Sequence, residues 1–119
     1  MSNSHLELVR EVTALKGYSY RVWEYHASLS ELTVRAYRLD KPKHNIHIVF
    51  QGVVYLQMPI HWKAGDLRLG SEAELREVTK KIGLGEFDPD KFFKADTSNG
   101  EVYVLGGVAA ILRDVEPLY

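Results

Sequence analysis

Cysteine is absent from the 119 residues, which excludes disulfides, a thiolate nucleophile and every zinc site that needs sulfur. Charge of one sign is also missing. Fifteen Lys and Arg against 16 Asp and Glu leave a formal −1 at pH 7, so no global field draws the chain to a phosphate backbone, and nucleic acid is not expected as a partner. Long apolar runs are wanting too. Glu7, Arg10 and Glu11 interrupt the N-terminal stretch, so neither an export signal nor a membrane anchor is indicated, and a cytoplasmic location is expected. Motifs of chemistry are equally scarce: there is no Gly-x-Ser-x-Gly elbow, and Gly83-Leu84-Gly85 follows a helical pattern and lacks the third glycine of a dinucleotide fingerprint. Asp88-Pro89-Asp90 lacks the glycine and terminal glutamate of a calcium loop.

What remains is a chain with 45% apolar and 26% charged residues, the composition of a globular domain. Its length suits one domain over residues 1–119. Two stretches read as helices. Ser4 with Glu7, and Ser71 with Glu74, have the spacing of a capping box. Leu8, Val12 and Leu15 follow the first; Leu75, Val78 and Ile82 follow the second; Gly17 and Gly83 stand ready as terminators. Surface helices are therefore predicted over about 4–16 and 71–82.

The rest reads with period two. Residues 18–27 and 31–39 form a predicted hairpin whose even loop sets Trp23, Tyr25, Ala27, Leu32, Val34 and Ala36 on the core face, leaving Glu24, His26, Thr33 and Arg35 outside. Arg21 fits this parity least well. Residues 45–58 alternate throughout, with Ile46, Ile48, Phe50, Val54, Leu56 and Met58 on one side, and must bend or turn at Gly52 to fit a domain of this size. Further strands are expected at 67–69, 91–97, 101–105 and 108–112, with Ser98-Asn99-Gly100 as a turn. Strands that follow one another without an intervening helix give an α+β fold: a mostly antiparallel sheet of about five to seven strands. Both helices are expected to pack on Trp23, Val34, Ile48, Phe50, Leu56 and Val104.

Five histidines raise the question of metal. His44 and His47 are three apart beside a strand, where an odd offset points them to opposite faces. His26, His47 and Glu24 share the predicted outer face, but half-exposed sheet histidines need no metal, so no metal site, cofactor or catalytic residue is assigned. The basic stretch Arg35, Arg38, Lys41, Lys43, His44 reads as a solvated strand edge. One segment stands apart: Pro59-Ile60-His61-Trp62-Lys63 has no period and carries a tryptophan. Aromatics and arginine on a connecting segment favour partner contact, so Ile60, His61 and Trp62, with Arg35 and Tyr37 from the outer sheet face, are the candidate binding residues. The alternative for Trp62 is to plug the end of the core. The function expected from this is a non-catalytic interaction module that binds a protein partner or a second copy of itself. The alternative is a metal-binding or small-molecule-binding protein, or a small enzyme using histidine acid–base chemistry.

Overall fold

The structure is a computed structural model and describes residues 4–63 and 65–115. Helix α1 (Ser4–Thr13) leads into strands β1 (Ser19–His26), β2 (Glu31–Tyr37), β3 (Asn45–Gln57), β4 (His61–Trp62) and β5 (Leu67–Leu69). Helix α2 (Glu72–Ile82), β6 (Phe92–Ala95) and β7 (Val102–Val115) follow. The seven strands make one antiparallel sheet in the order β4-β1-β2-β3-β7-β6-β5. The protein is thus an α+β fold. No helix among the described residues is long and apolar enough to cross a membrane.

Helix α2 forms for the reasons read from the sequence, whereas α1 ends at Thr13, short of the expected 16. At α2 the Ser71 side chain accepts from the Glu74 amide while the Glu74 carboxylate accepts from the Ser71 amide, and Gly83 closes the helix at φ 74°. At α1 the Ser4 side chain falls outside the described residues. Val9 and Val12 on its core-facing side, and Leu15 just past its end, are buried.

The two helices lie on opposite faces of the sheet. Val9, Val12 and Leu15 pack with Leu32, Val34, Ile48, Phe50, Phe93 and Val104. Leu75 and Val78 of α2 pack instead with Phe92, Tyr103 and Leu105, the residues of opposite parity on β6 and β7. The expectation that both helices share one core is corrected here: β6 and β7 are apolar on both parities, so each face demands its own cover. Because α2 covers only the β6–β7 side, its face of β1, β2 and the first half of β3 carries neither helix among the described residues.

Two irregularities set the side-chain pattern. The β1–β2 loop has four residues and pairs Tyr25 with Leu32 and His26 with Glu31, as the even loop requires. Then a bulge intervenes between Val22 and Glu24: Val22, and not Trp23, is opposite Val34. Trp23 therefore leaves the core face, correcting its predicted place, and Arg21 falls opposite Arg35, which explains its poor fit to the parity. On β3, Gln51 pairs with Gly107 and Tyr55 with Leu105, so residues 52–54 bulge opposite Gly106, with Gly52 at φ 66°. The Val53 amide donates to the Ser30 carbonyl at 3.1 Å. The bulge buries Val53 and exposes Val54 to 56 %, a second correction, before Leu56 and Met58 return to the core side. β3 and β7 accordingly remain single long strands that bend together, and the predicted break at Gly106-Gly107 is the inner side of that bend.

Candidate functional site

The antiparallel register carries one row of side chains across the face that neither described helix packs on, where Thr33, Arg35 and His47 are nonetheless buried. His61 pairs with Arg21, Arg21 with Arg35, Arg35 with His47, and His47 with Leu112. Directly opposed residues in an antiparallel sheet point to the same face, so these five share it. At about 4.8 Å between strands, the span from His61 to His47 is about 14 Å. Four consecutive strands thus present two arginines and two histidines at one level, with no carboxylate among them. Leu112, 51 % exposed, ends the row.

The bulge adds the aromatic component. Trp23 lies over the Arg35 guanidinium, whose central carbon is 3.7 Å from the ring centroid, and its centroid is 5.3 Å from that of His47. Arg35 Nε donates to His47 Nε2 at 2.9 Å. That bond assigns the tautomer: Nε2 accepts, so the ring proton resides on Nδ1 and the imidazole is neutral. Burial, and then the Arg35 charge, hold the His47 pKa below the ordinary histidine value, against a smaller opposing pull from Glu24. Burial, and then Arg21, lower the pKa of Arg35, but a guanidinium stays charged in protein. The result is a fixed cation between an indole and an imidazole.

The arrangement decides what His47 can do. Its one ring lone pair is engaged by Arg35, so it is a poor general base, and no serine or carboxylate stands at hydrogen-bond distance to complete a relay among the described residues. Tyr37 follows on the same parity of β2, opposite Ser19, while Thr33 and Val49 flank the row on the other side. Glu24 opposes Thr33, and its carboxylate is 3.4 Å from His26.

Of the residues expected from sequence to form a contact surface, His61, Arg35 and Tyr37 are brought to this face, and Ile60 is 73 % exposed beside it. Trp62 is not. It is 0 % exposed, stacks on Tyr20 at 5.0 Å and donates its indole N–H to the Gly65 carbonyl at 2.8 Å. Pairing with β1 fixes Trp62 opposite Tyr20, on the core side. Its segment is an edge strand of the sheet, and Trp62 closes the core there. Arg35 itself is largely buried, so it shapes the field of the face more than its contact area. Sequence reasoning missed Arg21, Trp23 and His47 as neighbours of Arg35, although the parity misfit of Arg21 already signalled the bulge that unites them.

Two clefts lie elsewhere on the surface. A cleft of about 490 Å³ beside α2 is lined by Leu75, Arg76, Thr79, Lys80, Leu84 and Phe87. A smaller one of about 220 Å³ involves Arg38, Lys41, His44 and Arg113. In the latter Arg38 is paired with Asp40, His44 with Asp114 and Arg113 with Glu11, which leaves little charge for a ligand. Among the described residues no three histidines or acids converge on a metal position. Compared with protein-family models, curated proteins and solved structures, the chain finds no match.

Proposed function

We propose that the protein is a non-catalytic interaction module whose contact surface is built on the exposed residues of the face of β1, β2 and β3 that neither described helix packs on, with His61, Arg21 and Leu112 at the surface. The observation that carries this reading is the row His61, Arg21, Arg35, His47 and Leu112 with Trp23 seated across it. It combines the side-chain types that dominate association energy, tryptophan and arginine, with an exposed leucine at one end. A sheet face of this kind offers a rigid platform at small entropic cost, because the backbone and the Arg35 rotamer are already held. Engagement of the His47 lone pair by Arg35 speaks against the acid–base alternative. A small-molecule site is better served by the cleft beside α2, whose apolar wall of Leu75, Leu84 and Phe87 carries Arg76 and Lys80 at its rim. That cleft favours a second reading as a binder of a small apolar anion.

Photo-crosslinking in the source cell separates these readings. Benzoylphenylalanine at position 61 should yield a discrete adduct with a protein, whereas the same group at exposed Glu77 on α2 should yield none. An adduct from position 77 alone, or from neither position, overturns the assignment.

A further inference from the structure

Apart from that face, we propose that the chain pairs with a second copy of itself through the free outer edge of β1, with Tyr25 of one copy opposite Tyr25 of the other. β4 covers this edge only at Tyr20 and Arg21, and the last bond to it runs from the Val22 amide to the Ile60 carbonyl at 2.7 Å. From Trp23 to His26 no strand lies outside β1 among the described residues. Such an edge is a template for another strand, and sequences guard it above all with lysine or proline. Residues 23–26 have neither. The backbone groups of an antiparallel strand turn alternately to its two sides. Val22 turns outward to Ile60, so Arg21 turns inward to Arg35. Arg35, Thr33 and Glu31 on the regular β2 then face β1, and Glu24 and His26, opposite Thr33 and Glu31, face inward as well. Tyr25 is left turned outward: the bulge at Trp23 resets the alternation and brings the Tyr25 N–H and C=O to the open edge.

These two free groups fit one register. Two copies related by a two-fold axis exchange both bonds when Tyr25 stands opposite Tyr25, as in the hydrogen-bonded pair of an antiparallel ladder. That register sets Glu24 of each copy opposite His26 of the other on one face, so the edge complements itself in charge. Within one chain the same two side chains already approach to 3.4 Å. Sliding the copies until Glu24 meets Glu24 would oppose like charges and inward-turned amides. The apolar side chains agree with this placement. Tyr25 is 47 % exposed although Leu32, opposite it on β2, is buried in the core. Leu29 in the turn after β1 and Ile60 beside Val22 are exposed too, one at each end of the free segment. A ladder of three residues buries less than the roughly 1,600 Å² of a standard interface, so the pairing is weak, with a dissociation constant of about 0.1 mM.

The test uses the purified full chain. Sedimentation equilibrium should show it passing from monomer to dimer, with half of the chains paired at about 0.1 mM. Exchange of the Tyr25 amide, followed in nitrogen–proton correlation spectra, should slow about fourfold between about 0.01 and 1 mM, because only the monomer leaves that amide to water. Tyr25→Lys, which sets two like charges on the axis, should raise the dissociation constant about tenfold or more. Glu24→Lys should raise it about fivefold, and Glu24→Lys combined with His26→Glu should bring it back to within about twofold of the parent. Spectra of the dilute variants establish that each is folded, and the charge swap decides the matter should Tyr25→Lys not fold. The proposal is overturned by a chain that stays monomeric up to about 1 mM, by a dimer whose Tyr25 amide exchanges at a rate independent of concentration, or by a double variant no tighter than Glu24→Lys alone. A monomeric chain that still gives the position-61 adduct with another protein removes the self-pairing and leaves the contact face standing.

Discussion

Replacing Trp62 by alanine tests whether the edge strand β4 anchors the core or serves a surface. The indole is fully buried, stacked on Tyr20 and bonded to the Gly65 carbonyl. Core tryptophan-to-alanine changes cost about 3 to 5 kcal/mol, as lost transfer energy plus the cavity left behind. The aromatic pair and the hydrogen bond push toward the top of that range, at about 1 kcal/mol each. Relaxation pulls the other way, because β4 has two residues at the rim of the sheet and can partly collapse. The expected loss is about 4 kcal/mol, a large part of the stability of a domain this size. At about 4 °C per kcal/mol the melting temperature should fall by about 16 °C. Urea unfolding followed by circular dichroism gives the free energy directly, and Trp62→Phe, which keeps the stack but loses the N–H donor, should recover most of it. A loss below about 1 kcal/mol for the alanine variant would refute the placement of Trp62 in the core.

Glu74 joins the cap of α2 to Arg68, which also grips Asp96 at 2.9 Å. The Arg68 hydrogen bonds, then the Ser71 amide, push the Glu74 pKa down from 4.5 to about 2. A carboxylate depressed in the fold stabilises fully above its unfolded pKa, so this contribution should be lost as pH falls from about 4.5 toward about 2. Glu74→Gln should cost about 1 kcal/mol at neutral pH, with the difference from the parent shrinking across that window in urea titrations. A difference that does not depend on pH would show that the charge is irrelevant. Gly106→Ala should cost about 1 to 3 kcal/mol in the same assay, since its methyl group would sit 2.9 Å from the Val53 Cα in the bulge of β3. An unchanged urea midpoint would mean that the bend tolerates a side chain.

Much of the fold follows from patterns local enough to read along the chain. The capping box at Ser71, the terminating Gly83 and the four-residue β1–β2 loop are each fixed by a few adjacent residues, and each appears where the pattern puts it. The faces of β1 and β3 were legible only between irregularities. A bulge costs one residue of register and reverses the parity beyond it, and around Trp23 the misfit of Arg21 is the one trace of it in the sequence. The same limit applied to α2: its stripe of Leu75 and Val78 announces an apolar partner but not which face of the sheet supplies it. Arg35 and Tyr37 share one face because strand parity survives in β2, whereas His61 reaches it through the pairing of β4 with β1, a strand that the aperiodic segment did not announce. Their alignment with Arg21 and His47 depended on strand order, which joins segments 40 residues apart and leaves no local trace.

The central claim is that this face makes the contact, and the most direct measurement is the yield of the position-61 adduct in chains that also carry Arg21→Glu or Trp23→Ala. Arg21 is exposed and outside both apolar clusters, so Arg21→Glu should alter the urea midpoint little. The adduct should nevertheless fall about tenfold or more, since reversing a charge at the centre of the row spoils its electrostatic match to a partner seated there. Trp23→Ala should reduce it as well while uncovering the Arg35 guanidinium. Adduct yields equal to that of the parent, from variants shown to be folded, would contradict the account.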